Sequence, residues 1–325
     1  MTEAPIVAAT IGDPCGIGPE VLIKALADGA APERILLVGD CGVVEQAIEL
    51  AGAGFSARPV KNVAQARFAP DCLDVLDPGT LDPRAVTPGK PSAGCGRAVV
   101  EWWDIVSELA TSGEVAAGVK GTVSSEAIAL GGAVPRTTEH PTYLFLVTGE
   151  SLRVVHLTDH LPLSDALKCV TESSVGELLM LTQASLVKWG LPRPRIAVAG
   201  VNPHARGREE QEAIVPAVNR ARALGIDAIG PVAPDSVFRM CLEGQFDCVV
   251  AHYHDQGHIA IKTWKFDGNC ALNLGSPFLR LSVPHGPAYD IAGRGIADHR
   301  SMAEALRTAA ALAAGRGFPK KRSFA

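Results

Sequence analysis

Several functional classes are excluded by what this chain lacks. It carries no surplus of basic charge: 30 Lys and Arg residues face 35 Asp and Glu, for a net charge of −5. A nucleic-acid partner is therefore not expected, because such proteins present a clustered basic face. No apolar run approaches the ~18 residues that span a bilayer, so no membrane partner is expected either. The N-terminal stretch MTEAPIVAATIGDP has no basic segment and no long apolar core. It does not read as a secretion signal, and a cytoplasmic location is expected. The eight cysteines are scattered and form no CxxC pair. They read as reduced, mostly buried thiols of an intracellular protein. The pattern GxGxxG is missing after the first strand, which removes the usual dinucleotide fingerprint. There is no internal repeat and no low-complexity tract.

What is present is an ordinary globular composition over 325 residues, with 47% hydrophobic and 20% charged side chains. A chain of this length buries a large core and usually divides into about two domains. Short β-branched or aliphatic runs at 5–10, 34–39, 115–120, 152–157, 195–201, 248–253 and 271–274 predict buried strands. Helix-period segments lie between several of them. In 98–110, for example, Val99, Trp102, Trp103, Val106 and Leu109 recur at helical spacing. Segments 176–189, 209–224 and 302–314 are similar. Strands alternating with helices of this length predict an α/β fold with a largely parallel sheet. Pro/Gly-rich punctuation at 77–94 and 132–141, then a fresh run of strands from Leu152, predicts two lobes with the chemistry in a cleft.

Three of the nine histidines share a context. His160 in LTDHLPL, His204 in GVNPHARG and His254 in AHYHDQGH each follow the C-terminal end of a predicted strand. In open α/β sheets that edge is where ligands bind. Each alone reads as an ordinary satisfied polar residue. Three converging imidazoles can hold a divalent cation with a position left open for substrate. His252 competes with His254, since residues two apart on a strand share a face. Lys262 follows eight residues past His254. A lysine beside a bound cation is poised to give up its proton, since like charges repel, and can trade protons with a hydroxyl or enol. Arg280 in SPFLRLSVPHG can pair with a carboxylate or phosphate through two hydrogen bonds. At the N-terminus, TIGDPCGIGPE follows a strand and opens a helix. Pro19 suits the first helical position and Glu20 the first turn. Gly286, Gly293 and Gly295 in HGPAYDIAGRGIAD allow a loop to wrap a ligand, with Asp290 or Asp298 accepting from a ribose or adenine.

Taken together, GDPCGIGPE, LTDHLPL, GVNPHA, GPVAPDSVF, YHDQGHIAIK, FLRLSVPHG and DIAGRGIAD resemble, in order and across nearly the whole chain, the 4-hydroxythreonine-4-phosphate dehydrogenase family. GDPCGIGPE and HGPAYDIAGRGIA are also similar to the wider isocitrate and isopropylmalate dehydrogenase superfamily, where the second piece forms the nicotinamide-cofactor loop. The resemblance implies an α/β, two-lobed isocitrate/isopropylmalate dehydrogenase-like fold with a central cleft. The lobes would run roughly over 1–130 plus a C-terminal segment, and over 140–290. It implies a homodimer with each active site at the subunit interface. NAD or NADP would be the cofactor, with one divalent ion (zinc, magnesium, manganese or cobalt) held by His160, His204 and His254. Lys262 and Asp255 would be catalytic, and Arg280 would bind an anionic substrate. His285, Gly286, Asp290, Ala292, Gly293, Gly295 and Asp298 would bind the cofactor. The implied reaction oxidises a secondary alcohol of an anionic hydroxy acid, with decarboxylation following.

The departures fall on the substrate positions. The family's GHTE segment corresponds here to VPRTTEHPTYLFLVTG, so Thr137, Thr138 or His140 would take those places. The family's substrate asparagine aligns with Ala271, and Asn273 lies two residues on. The family's GPVHK-like segment reads KGTVSSE. Two relatives therefore stand beside the namesake activity: dehydrogenases of four-carbon sugar acid phosphates, and those of cis-dihydrodiol carboxylates such as that from terephthalate. A non-catalytic metal- or ligand-binding protein is the reading from a different class. Lys262, the cofactor-like loop and the three histidines speak against it.

Overall fold

A computed structural model describes residues 3–134, 142–148 and 152–319. Twelve strands are numbered in chain order. They are β1 (Val7–Thr10), β2 (Ile35–Val38), β3 (Ser56–Val60), β4 (Cys72–Leu76), β5 (Ala117–Lys120), β6 (Tyr143–Thr148), β7 (Arg153–His156), β8 (Ile196–Ala199), β9 (Ala228–Val232), β10 (Cys248–Ala251), β11 (Asn269–Leu274) and β12 (Leu279–Ser282). The chain forms two units, Met1–Glu139 with Pro277–Ala314, and His140–Ser276 with Gly315–Ala325.

In the first unit the strand order is β3-β4-β2-β1-β5-β12, and every pairing is parallel. β1 and β2 read VAAT and ILLV and are buried throughout, as expected of strands covered on both faces. The helices here start and stop on local chemistry. Asp40 caps Cys41–Ala51 by accepting from the Val43 N–H (2.8 Å), and Gly52 ends it in the left-handed region. Ser92 does the same for Ala93–Ser112, with Gly113 at its end. Pro19 sits in the first turn of Gly18–Ala25.

In the second unit the order is β11-β6-β7-β10-β8-β9. β11, β6 and β7 are antiparallel, and β7, β10, β8 and β9 are parallel. The core includes Leu146, Leu152, Val154, Ala199, Phe246, Val249 and Ile261. The helix Glu172–Lys188 begins on a capping box between Thr171 and Ser174.

The predicted alternation of strands and helices is present, and five strands lie outside the predicted runs: β3, β4, β6, β9 and β12. β3 reads SARPV and is largely exposed, so it lacks an apolar pattern. β4 reads CLDVL, and its Asp74 is buried because Arg58 and the Arg67 and Phe68 N–H groups bind its carboxylate. No local signal shows that such an acid is satisfied.

Candidate active site

The register of the second unit explains which histidines meet. β7 and β10 are adjacent and parallel, with Ala251 opposite His156. The segments that follow both strands therefore leave the sheet at one edge. The Leu157 N–H donates to the Ala251 carbonyl (2.8 Å), and the Thr158 hydroxyl donates to the His252 carbonyl (2.9 Å). Past that clamp, ligand atoms of Asp159, His160 and His254 all lie within 4.8 Å of one another. The rings of His160 and His254 are 5.2 Å apart. His160, Leu161, Leu163, Tyr253, His254 and Asp255 line a depression of about 190 Å³.

The donors suit a divalent cation. His254 Nδ1 is 2.7 Å from Asp255 Oδ1, so with that nitrogen donating its proton the Nε2 lone pair is left for a metal. Asp159 Oδ1 is buried with no hydrogen-bond partner among the described residues, as a carboxylate waiting for a cation would be. Two imidazoles and a carboxylate are a borderline donor set that accepts several first-row metals.

His254, His258 and Lys262 recur at four-residue spacing along the helix His254–Trp264 and share one face. The His258 ring stacks on His254 at 3.6 Å, and His156 stands 4.8 Å behind it. Burial holds His156 neutral, its pKa pushed down to about 3, with the His258 and His254 charges adding to the effect. His258 is also lowered, first by burial and then by the His254 charge. His252, the competitor of His254, is a core residue. Its Nε2–H donates to the Ala199 carbonyl (2.8 Å), and burial lowers its pKa to about 4.

His204 occupies an exposed turn, Pro203–Ala205, with φ +58°. The turn reaches the same edge because β8 lies beside β10 and Gln256 donates to the Gly200 carbonyl (2.7 Å). Buried Glu210 holds it, accepting from the Val201 and Asn202 N–H groups at 2.7 Å each. Among the described residues the His204 ring is not part of the Asp159–His160–His254 group. Ala271 is buried in the core, and Asn273 donates to Thr142 Oγ1 (3.4 Å). Thr137, Thr138 and His140 lie outside the described residues.

In the first unit, the loop from His285 to Asp298 packs on the N-terminal GDPCGIGPE segment. The Ile17 N–H donates to the Pro287 carbonyl (2.8 Å), and a Cβ on Gly16 would lie 2.6 Å from Pro287 Cβ. The Tyr289 hydroxyl donates to Asp13. Lys24 donates to the carbonyls of Gly295 (2.7 Å) and Ala297 (3.1 Å), while Glu20 accepts from the Ala297 N–H (2.8 Å). Gly293 has φ +75°. The side chain of Asp290 and the backbone of Gly286 and Gly293 are left exposed. Asp298 is bound by Arg300, and Ala292 and His285 are half-buried in the same loop. Such a braced loop, with exposed backbone at Gly286 and Gly293 and an exposed carboxylate at Asp290, can hydrogen-bond a nucleotide ribose. Asp13 and Tyr289 lie in the GDPCGIGPE and HGPAYDIAGRGIAD motifs, but neither was singled out by the sequence.

Arg280, also in this unit, lies with its guanidinium 5.1 Å from the centroid of the Trp103 ring. Lys120 Nζ lies 5.6 Å from the same ring. Neither Lys120 nor Trp103 was singled out for a ligand by sequence.

The chain matches the family described as pyridoxal phosphate biosynthetic protein PdxA across residues 31–309. It belongs to that family. It is 43% identical to a putative 4-hydroxythreonine-4-phosphate dehydrogenase of Novosphingobium aromaticivorans, covering 97% of this chain and 96% of the relative. It is 36% identical to the D-threonate 4-phosphate dehydrogenase of Salmonella typhimurium, covering 96% and 100%. A crystal structure of 4-hydroxythreonine-4-phosphate dehydrogenase from Klebsiella pneumoniae superposes with a TM-score of 0.86 at 36% identity, over 96% of this chain and 99% of that one. This PdxA-family protein is thus a dehydrogenase with the isocitrate dehydrogenase-like fold. Membership implies a nicotinamide cofactor and a divalent metal. No helix among the described residues is long and apolar enough to cross a membrane.

Proposed function

We propose that this dehydrogenase oxidises the secondary alcohol of a phosphorylated four-carbon hydroxy acid, with decarboxylation of the resulting keto acid. Support comes from two sides: the relatives are named for 4-phosphate substrates, and Arg280 is a half-buried cation whose Nε has no acceptor among the described residues. D-threonate 4-phosphate is put ahead of 4-phosphohydroxythreonine on the strength of the Salmonella typhimurium relative, and Ala271, buried in the core, marks a departure from the family's substrate asparagine. Each buried substrate group left unpaired costs about 1–3 kcal/mol.

His160, His254 and Asp159 are the residues to hold the divalent ion, with His204 as the further imidazole donor. The bound ion would polarise the substrate hydroxyl and steady negative charge on the oxygen it becomes. Asp255 orients His254 through the Nδ1 contact and is a positioning group in this reading. Lys262, on the same helix face, takes and returns the proton. Its charge reaches His258, one helical turn away. Arg280 holds the anionic end of the substrate. The loop carrying His285, Gly286, Asp290, Ala292, Gly293, Gly295 and Asp298 receives the cofactor, NAD or NADP.

A homodimer belongs to the same proposal. Ile259, Trp264 and Phe266, on or just after the His254 helix, are 64%, 57% and 75% exposed, a surface suited to cover by a second copy.

The test is a panel assay of NADH or NADPH formation with added divalent metal and either nicotinamide cofactor. D-threonate 4-phosphate is expected to give the highest kcat/KM, ahead of 4-phosphohydroxythreonine and cis-dihydrodiol carboxylates. Elemental analysis of His254→Ala and His204→Ala should show metal lost from both while the fold is kept. Highest kcat/KM on a dihydrodiol carboxylate would overturn the substrate assignment. Full metal retention in His204→Ala would remove His204 from the set.

A further inference from the structure

We infer that Lys120 and Arg280, set against the Trp103 indole, form a two-cation pocket that receives the dianionic phosphate of the substrate, with Lys120 as its specificity-determining residue. This rests on the phosphorylated-substrate reading above and adds a second cation to it.

The placement follows from strand register. β5 and β12 are parallel neighbours, with Arg280 opposite Gly118 and Ser282 opposite Lys120. Residues two apart on a strand share a face, so Lys120 and Arg280 project from the same side of the sheet. Between them Gly118 has no side chain, and the space is filled from the helix Ala93–Ser112. A Cβ at Gly118 would lie 2.7 Å from Val106 Cγ1 and 3.4 Å from Trp103 Cη2. The Phe278 ring packs at the same place, its centroid 6.1 Å from that of Trp103 and its Cε2 3.2 Å from a Cβ at Gly118. Trp103 is 3% exposed, so both cations rest on a dry aromatic surface.

The charge balance points to a missing anion. Among the described residues, neither Lys120 nor Arg280 makes an ion pair with a carboxylate. Arg280 Nε is, among the described residues, a buried donor with no acceptor. Burial and the neighbouring Arg280 charge lower Lys120 to about 8, partly offset by the Asp104 charge. Two like charges held together at the cost of desolvation are unfavourable unless something of opposite sign joins them. A carboxylate matches one such charge. A phosphate monoester, with about −2 charge and three acceptor oxygens, matches both and supplies acceptor oxygens to the two cations.

The experiment is a titration of methyl phosphate, followed by ³¹P NMR, with the wild-type protein, Lys120→Met and Lys120→Arg, each checked for fold by circular dichroism. Lys120→Met should bind methyl phosphate about 10-fold more weakly or worse, as expected for loss of a charge-assisted contact, while Lys120→Arg binds as wild type. Acetate should bind wild type and Lys120→Met alike. Above a pH of about 7 the phosphate is already a dianion, since its second pKa is near 6. Wild-type affinity should therefore fall through pH 8 as Lys120 loses its proton, and Lys120→Arg should not share that fall. Equal methyl phosphate affinity in wild type and Lys120→Met, whether strong or absent, overturns the pocket. The titration involves no turnover. A chain that binds methyl phosphate through Lys120 but forms neither NADH nor NADPH from any phosphorylated hydroxy acid refutes the proposed substrate and leaves the pocket standing.

Discussion

Gly257 is the position where a single methyl group tests the histidine stack most directly. It lies inside the helix His254–Trp264, where alanine ordinarily stabilises by about 0.5–1 kcal/mol over glycine. Here a Cβ would stand 2.1 Å from His156 Nε2 and 2.8 Å from Val154 Cγ1. Neither neighbour can swing into solvent, because Val154 is 0% and His156 1% exposed. The methyl group must push His156 or lift the helix, and overpacking of this kind costs about 1–3 kcal/mol. The packing term exceeds the helix-propensity term, so Gly257→Ala should destabilise the protein by about 1–2 kcal/mol. The push has a second destination. His258 is 4.8 Å from His156 and 3.6 Å from His254, so displacement passes along the stack to the proposed metal ligand. Metal affinity should fall by roughly 10-fold, a displacement of about 1.4 kcal/mol. Urea unfolding reads the first effect and metal titration the second. In a His156→Ala background the substitution should cost clearly less, giving a coupling of about 1–2 kcal/mol in the double-mutant cycle. Gly257→Ala as stable as wild type, with unchanged metal affinity, would refute this account of the stack.

Two further predictions follow from burial and backbone geometry. His156 and His252 have folded pKa values pushed down to about 3 and about 4, below the unfolded 6.5. The unfolded chain therefore binds more protons in this window, and stability present above pH 6.5 is lost as pH falls toward 4. At about 1.4 kcal/mol per pH unit for each group, denaturant unfolding should show a loss of roughly 5 kcal/mol between pH 7 and 4.5. His252→Gln should flatten that slope, and an unchanged slope would contradict a buried neutral His252. Gly293→Val places a β-branched residue at φ +75° with its Cβ 2.9 Å from Pro88 Cβ, which should unseat the His285–Asp298 loop. The apparent KM for NAD or NADP should rise several-fold at unchanged metal content, and equal loss of both would count against the loop as the cofactor site.

The alternation of strand and helix was legible along the chain because hydrophobic periodicity is local, whereas the caps Asp40, Ser92 and Thr171 emerged with the structure. Local too was the appearance of His160, His204 and His254 after strands, and the glycine spacing of the loop from His285. The order of motifs carried the family. Tertiary structure decided what those residues meet. Asp159 joins His160 and His254 because parallel pairing of β7 and β10 lays two segments nearly a hundred residues apart at one edge. Of the three histidines in AHYHDQGH, His252 became core and His254 lines the depression, a difference set by the Ala199 carbonyl on a neighbouring strand. Tyr289 reaches Asp13 across 276 positions. Lys120, Arg280 and Trp103 converge only through the register of β5 with β12 and the helix packed over Gly118. Electrostatic environment is a property of neighbours in space, and neighbours distant in sequence are fixed by the closing of the sheets.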